Sequence, residues 1–327
     1  MLIQDKIVWD ADVEKNLALM STLGVDCVSL DLPDGSHPQQ GIDLHDQKAA
    51  NLFFKQAKED VSRHGMVLKT VLATSGFEHI KRGSIGRDEQ IEYLIRTLQA
   101  MGEADIPILA YNFKLLNSKL LRSTPTPGRG ISSYISFDYE DYLKNPAPAI
   151  DPPLDRAQVL DHLSYFLKAI IPVAEKYGVR LALHPDDPPM PATLPALAGA
   201  AHVASSFEDY QKIFDLVPSS SNGMLFCQGC VKEMQNMNVY EGIRHMGSLN
   251  KIVMVHFRNV RGAFPRFAET FVDNGDVDMF KAMQTYRDIG FKGPFSLDHS
   301  PMFTGSTIAN QAFVIGYIRA LIQAVYR

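Results

Sequence analysis

Eight short apolar, β-rich runs recur along this chain of 327 residues, and each is followed by an amphipathic run of helical period. Alternation of this kind dictates a parallel sheet, because a strand reaches a parallel neighbour only through a crossover that a helix can fill. The strand-like runs are a weak one at 6–9, CVSLDL from Cys27, VLKTVLA from Val67, PILAYNF from Pro107, RLALHP from Arg180, GMLFCQG from Gly223, KIVMVHFRN from Lys251 and GPFSLDHS from Gly293. The helical ones span 11–23, 46–64, 87–101, 155–177, 206–216, 232–246, 278–289 and 308–326. Ser206 before the polar turn FEDY is placed to cap a helix, and Gly178 and Gly290 stand where a left-handed helix end suits glycine best. Eight strand–helix pairs are the plan of a closed (β/α)8 TIM barrel, and the length suits a single such domain over 1–327. An open doubly wound sheet would show a Gly-rich phosphate loop after its first strand, and DLPDGSH after the second is no such loop.

The stretch 114–153 breaks the rhythm with Pro, Gly, Ser and Tyr and reads as a long loop insertion. Its place after the fourth strand puts it on the face where barrels build their sites, so a lid or substrate-gripping loop is expected as readily as a solvated insertion. Hydrophobic residues at 46% and charged ones at 21% allow a sizeable core and exclude global disorder. The net charge of -5, with no basic run, argues against nucleic acid as a partner. No run reaches the roughly 18–20 apolar residues of a membrane span, and no targeting segment is in view. Three cysteines, Cys27, Cys227 and Cys230, are too few for a disulfide framework and suit a reducing, cytoplasmic setting.

At or near the ends of strands five to eight stand His184, Cys227, His256 and Asp298, each about one βα repeat from the next. Any one of them alone is more simply a packed core residue. All four in the same structural position point to one metal site, and two imidazoles, a thiolate and a carboxylate suit Mn²⁺, Fe²⁺, Co²⁺ or Zn²⁺ better than Mg²⁺ or Ca²⁺. CQGC is a C-x-x-C pattern, but a structural zinc site needs a second pair, so Cys227 is read as the ligand and Cys230 as structural. Asp186 and Asp187 lie in HPDDPP, held by stiff prolines. Arg258 and Asn259 follow His256 and offer a guanidinium fork for a substrate carboxylate, unless Arg258 is spent on a salt bridge to Asp186 or Glu269. His299 adjoins Asp298, close enough to act as general acid or base.

The segments LALHPDDPP, SNGMLFCQGC, MVHFRNV, FAETFVDNGDVDM and GFKGPFSLDHS resemble those of mannonate dehydratase, a family of xylose-isomerase-like barrels. The likeness covers 111–112 and 180–300. It implies dehydration of D-mannonate to 2-keto-3-deoxygluconate with Mn²⁺ or Fe²⁺ on the four ligands above, His299 as a catalytic residue, and Asn112 and Asp186 among the substrate contacts. It also implies a homodimer or tetramer working in carbohydrate metabolism. Several segments depart from the family pattern. IVWDADV only faintly echoes its N-terminal Arg-Trp, KLLNSKLLRST replaces its Asp-Trp and Arg-Thr stretch, Ala268 stands where a His would, and SPMFTGSTIANQ supplies no tyrosine. A second acid is then expected from elsewhere, with Tyr111 as the candidate. The same metal cage would also serve a sugar or sugar-acid isomerase or epimerase, and the fold would serve a non-catalytic sugar-acid binder or a metal-dependent phosphodiesterase, the last disfavoured by the charge.

Overall fold

The computed structural model describes residues 1–32, 44–301 and 307–326. The DGSH part of the loop after the second strand, and residues 302–306 where the family's tyrosine loop would run, lie outside them. The strands are β1 (Leu2–Ile7), β2 (Cys27–Asp31), β3 (Val67–Ala73), β4 (Ile108–Tyr111), β5 (Ser123–Pro127), β6 (Ser133–Asp138), β7 (Arg180–Leu183), β8 (Asn222–Cys227), β9 (Ile252–His256), β10 (Asn259–Ala263), β11 (Arg266–Thr270) and β12 (Pro294–Ser296). Eight of them close a parallel barrel in the order β1-β12-β9-β8-β7-β4-β3-β2; seven match runs read from the sequence, while β1 starts four residues before the weak run read at 6–9.

Strand alternation divides the apolar residues between two cores. Ile108 and Ala110 of β4 point into the barrel with Leu72, Ala182, Leu225 and Met254, whereas Leu109 and Tyr111 join the larger layer between strands and helices. Local chemistry sets the helix ends. Ser206 accepts from Asp209 N at the start of Phe207–Leu216. Asp155 and Gln158 form a reciprocal capping box on Arg156–Lys176, and Gly178 and Gly290 follow their helices at φ +68° and +70°. The single helix read over 232–246 is two, Gln228–Glu233 and Val239–Ser248. Asn236 is left-handed at φ 57°, and Asn238 caps the second helix by accepting from Tyr240 and Glu241 N.

The stretch 114–153 carries β5, β6 and the short helix Tyr139–Lys144. These strands extend the hairpin β10–β11, which rises directly from the end of β9, into an antiparallel sheet ordered β10-β11-β6-β5. A small core of Leu121, Phe137, Met190, Leu197, Val260 and Phe267 seats that sheet beside the barrel mouth. The helix Thr307–Val325 has the length and mean apolarity of a membrane span although polar residues interrupt it, and 22% of its apolar window is buried. Its polar residues tie back to the barrel: Gln311 donates to Asp5 at 2.9 Å, and Arg319 pairs with Asp26 at 3.3 Å.

Candidate metal centre

Cys227 and His256 are the last residues of β8 and β9 and are partners in register. His184 follows β7, and Asp298 lies just past β12, so barrel closure brings four strand ends to one side of the mouth. One ligand atom from each of His184, Cys227 and His256 lies within 4.8 Å of the others. Asp298 Oδ2 is 3.4 Å from Cys227 Sγ and 3.5 Å from His256 Nδ1, and the two imidazole centroids are 5.3 Å apart.

Charge and hydrogen bonding both fit a cation here. His256 Nδ1 is buried with no hydrogen-bond partner, which a bound ion would supply. Burial opposes ionisation of Cys227, but the Cys230 thiol and Arg258 carry it well below the usual thiol range. Asp298 is likewise held low against burial by His299, His256 and Arg258. Burial lowers the proton affinity of His256, yet Asp298 and Cys227 raise it to about 9. A proton and a metal ion compete for that nitrogen, and both answer the same excess of negative charge. Thiolate, carboxylate and two imidazoles form a donor set for a borderline divalent ion.

The layer beneath is a buried ion network. Arg258, 3% exposed, places Nη1 2.9 Å from Glu233 Oε1 and 3.3 Å from Glu269 Oε1, Nε 3.0 Å from Asp298 Oδ2 and Nη2 3.5 Å from Asp187 Oδ2. Its Nη2 also donates to Cys230 Sγ at 3.2 Å. Gly229 makes room for it, since a Cβ there would stand 2.5 Å from Arg258 Nε. Arg122 reaches Asp187 at 2.7 Å and Glu269 at 2.5 Å. These two guanidiniums hold Asp187 low against its burial, while burial pushes Glu233 well above the ordinary carboxyl range in spite of Arg258.

Four residues expected to touch substrate are therefore occupied or turned away. Arg258 is fixed among acids, Glu269 included, and presents no free fork. Asn259 donates to Val272 O and Val277 O and accepts from Val260 N and Val277 N, pinning the hairpin. Asp186 Oδ2 accepts from Val203 N, Ala204 N and Ser205 Oγ, so it clamps a loop. Tyr111 points into the helix layer with its ring 5.5 Å from Phe166, its hydroxyl buried without a partner and its pKa raised by burial. The alternation of β4 puts Ala110, not Tyr111, on the inner face.

Two expected residues remain at the mouth. Asn112 is half-buried, donates to Thr74 O at 2.6 Å and lines a cavity of about 370 Å³. The His299 side chain is 45% exposed, with Nδ1 in contact with Glu269 Oε2 and Nε2 3.6 Å from Asp298 Oδ1. Crowding by protein disfavours its charged form, but Asp298 and Glu269 raise its pKa overall. Sequence reasoning missed Glu233, Arg122 and the cavity lysines Lys81 and Lys114. Glu233 left a faint signal, one turn beyond Cys230 on a short helix, whereas the pairing of Arg122 with residues near 187 and 269 leaves none.

A family model for D-mannonate dehydratase (UxuA) matches residues 149–327. Mannonate dehydratase 2 of Halalkalibacterium halodurans is 30% identical over 274 residues, covering 76% of this chain and 78% of its own. The mannonate dehydratase of Lactococcus lactis subsp. cremoris is 28% identical over 312 residues, covering 83% and 86%. The crystal structure of mannonate dehydratase from Streptococcus suis serotype 2 superposes with a TM-score of 0.81 at 24% identity, covering 99% of this chain and 93% of that one. At that identity the superposition speaks to the barrel alone.

Proposed function

Because the chain belongs to the mannonate dehydratase family of hydro-lyases, we propose that it removes water from D-mannonate, or a related aldonate, to give 2-keto-3-deoxygluconate or its counterpart. The observation that supports this reading is the clustering of His184, Cys227 and His256 at the barrel mouth, with Asp298 beside Cys227 and His256. We assign these four as ligands of Mn²⁺ or Fe²⁺, with Co²⁺ or Zn²⁺ as substitutes. Such an ion, when bound, supplies positive charge to substrate oxygens as negative charge develops α to the carboxylate.

The chain's own part is to hold the ligands, exclude water and move protons. Cys227 and His256 are placed by β8 and β9, and Arg258 steadies Asp298 from beneath at 3.0 Å. Glu269 meets Nδ1 of His299, which leaves Nε2 as the nitrogen that exchanges protons. With Tyr111 turned away, both proton movements fall to His299. The proton taken from the carbon α to the carboxylate is returned to the departing β-hydroxyl. One C–H and one C–O bond break, water leaves, and the enol ketonises. The three free thiols Cys27, Cys227 and Cys230 support a reducing, cytoplasmic setting, and by family likeness we expect a homodimer or tetramer.

The test is a panel of aldonic and uronic acids incubated with Mn²⁺- or Fe²⁺-loaded protein and read by mass. Loss of one water from mannonate, with a positive 2-keto-3-deoxy colour reaction, is the expected result. An unchanged mass with altered stereochemistry would replace dehydration by isomerisation or epimerisation.

A further inference from the structure

A sugar acid brings a carboxylate to this mouth, where both buried arginines are already held in ion pairs with carboxylates, Arg122 through Nη2 with its Nη1 unpartnered. Arg122 and Arg258 have side chains 10% and 3% exposed, and both are shared among Asp187 and Glu269, Arg258 also with Glu233 and Asp298. The cations left at the mouth line the 370 Å³ cavity, whose wall includes Thr74, Glu78, Lys81, Asn112, Lys114 and Ser118. Thr74 follows β3 and Asn112 follows β4. The end of β4 is tied to a ligand residue, since His184 N donates to Tyr111 O at 2.8 Å. Lys114 lies toward the ligand cluster, because its charge, like that of His299, helps hold Asp187 of the buried ion network low.

Its two ammoniums are unevenly matched. The Lys81 side chain is 6% exposed and its Nζ stands 3.3 Å from Glu78 Oε1 on a half-exposed carboxylate. Lys114, half-buried, donates to the neutral hydroxyl of Ser118 at 2.8 Å, and among the described residues no carboxylate lies within ion-pair distance of its Nζ. Two positive groups against one negative line the cavity, and a further carboxylate that Lys114 acts on, Asp187, is already paired with Arg122 and Arg258. Burial pushes the Lys81 pKa down, and the nearby charge of Lys114 pushes it further, with Glu78 opposing. An anion between the two lysines would relieve both penalties.

We propose that Lys114 and Lys81 form the carboxylate-binding pair for the sugar-acid substrate, with Lys114 as the residue that selects acids over neutral sugars of the same length. This rests on the sugar-acid reading above.

The experiment is calorimetric titration of metal-loaded wild type, Lys114→Met and Lys114→Arg with D-mannonate, D-gluconate and the neutral polyol D-mannitol, together with kcat and KM for mannonate. Lys114→Met should weaken binding of the acids by about tenfold to a hundredfold, the range of a lost charged hydrogen bond. It should raise KM by a similar factor, leave kcat within about threefold, and leave mannitol binding unchanged. Lys114→Arg should recover most of the affinity. Wild-type affinity for the acids in Lys114→Met, an equal loss for mannitol, or failure of the wild type to bind either acid would each overturn the proposal. If the wild type binds the acids but releases no water, the dehydratase reading fails while the titrations still decide the lysines.

Discussion

Asp5 on β1 is 7% exposed, and burial raises its pKa from 3.8 to about 6, against the Lys6 amide and the Gln311 side chain that donate to it. Protonation therefore favours the folded state. The charged form carries a cost of up to about 3 kcal/mol above pH 6 that disappears as pH falls toward 4. Asp5→Asn is expected to raise stability at pH 7–8 by about 1–3 kcal/mol and to converge with wild type near pH 4–5; urea unfolding across that range checks it. Equal curves at every pH would reject the assignment. At the metal centre, the Co²⁺-loaded protein should show near-ultraviolet thiolate-to-cobalt absorption that Cys227→Ser abolishes and Cys230→Ser retains. The candidate ligands could be picked from the sequence because each stands at or just past the end of a strand, a position that is local in sequence. The duties of Arg258, Asn259 and Asp186 were not. Whether a polar side chain faces substrate or is consumed by neighbours depends on groups far along the chain, as with Arg122 and Glu269, 147 residues apart.

Between β9 and β10 only Phe257 and Arg258 intervene, so the hairpin above the mouth is cantilevered from a barrel strand. Asn259 is its anchor, with four backbone partners and Gly275 packed so closely that a Cβ there would stand 2.1 Å from Oδ1. Asn259→Ala leaves those buried groups unpaired and should destabilise the protein by about 2–4 kcal/mol, measurable by chemical denaturation; a change below about 0.5 kcal/mol would show that the hairpin holds without it. The helix that begins after Asp155 offers a smaller effect: Asp155→Ala removes its capping box and should cost about 1 kcal/mol. At this scale the eight barrel strands could be read from apolar runs, but β5, β6, β10 and β11 could not. They are short and mixed in composition, and they gain their pairing only from one another across 114–153 and 259–270.

Taken whole, barrel closure brings the ends of β7, β8, β9 and β12 to one side of the mouth, and if the proposed metal binds there, folding and metal binding should be coupled. Chelation leaves Cys227 and Asp298 together in a buried site with Arg258 as the guanidinium beside them. Saturation at about a hundredfold over Kd contributes roughly 2.7 kcal/mol, so treatment with a strong chelator should lower Tm by several degrees and re-addition of Mn²⁺ or Fe²⁺ should restore it. A Tm indifferent to metal would argue against a resident ion. Periodicity and the residue type at each strand end were enough to determine the parallel barrel and the identity of its candidate ligands, since both are properties of short segments. Only the tertiary structure decided which charges are free: it spent Arg122 and Arg258 on Asp187, Glu233 and Glu269, turned Tyr111 into the helix layer, and left Lys114 facing a cavity. The balance of a buried ion depends on every charge within a few ångströms, and closure of the barrel chooses those neighbours from across the whole chain.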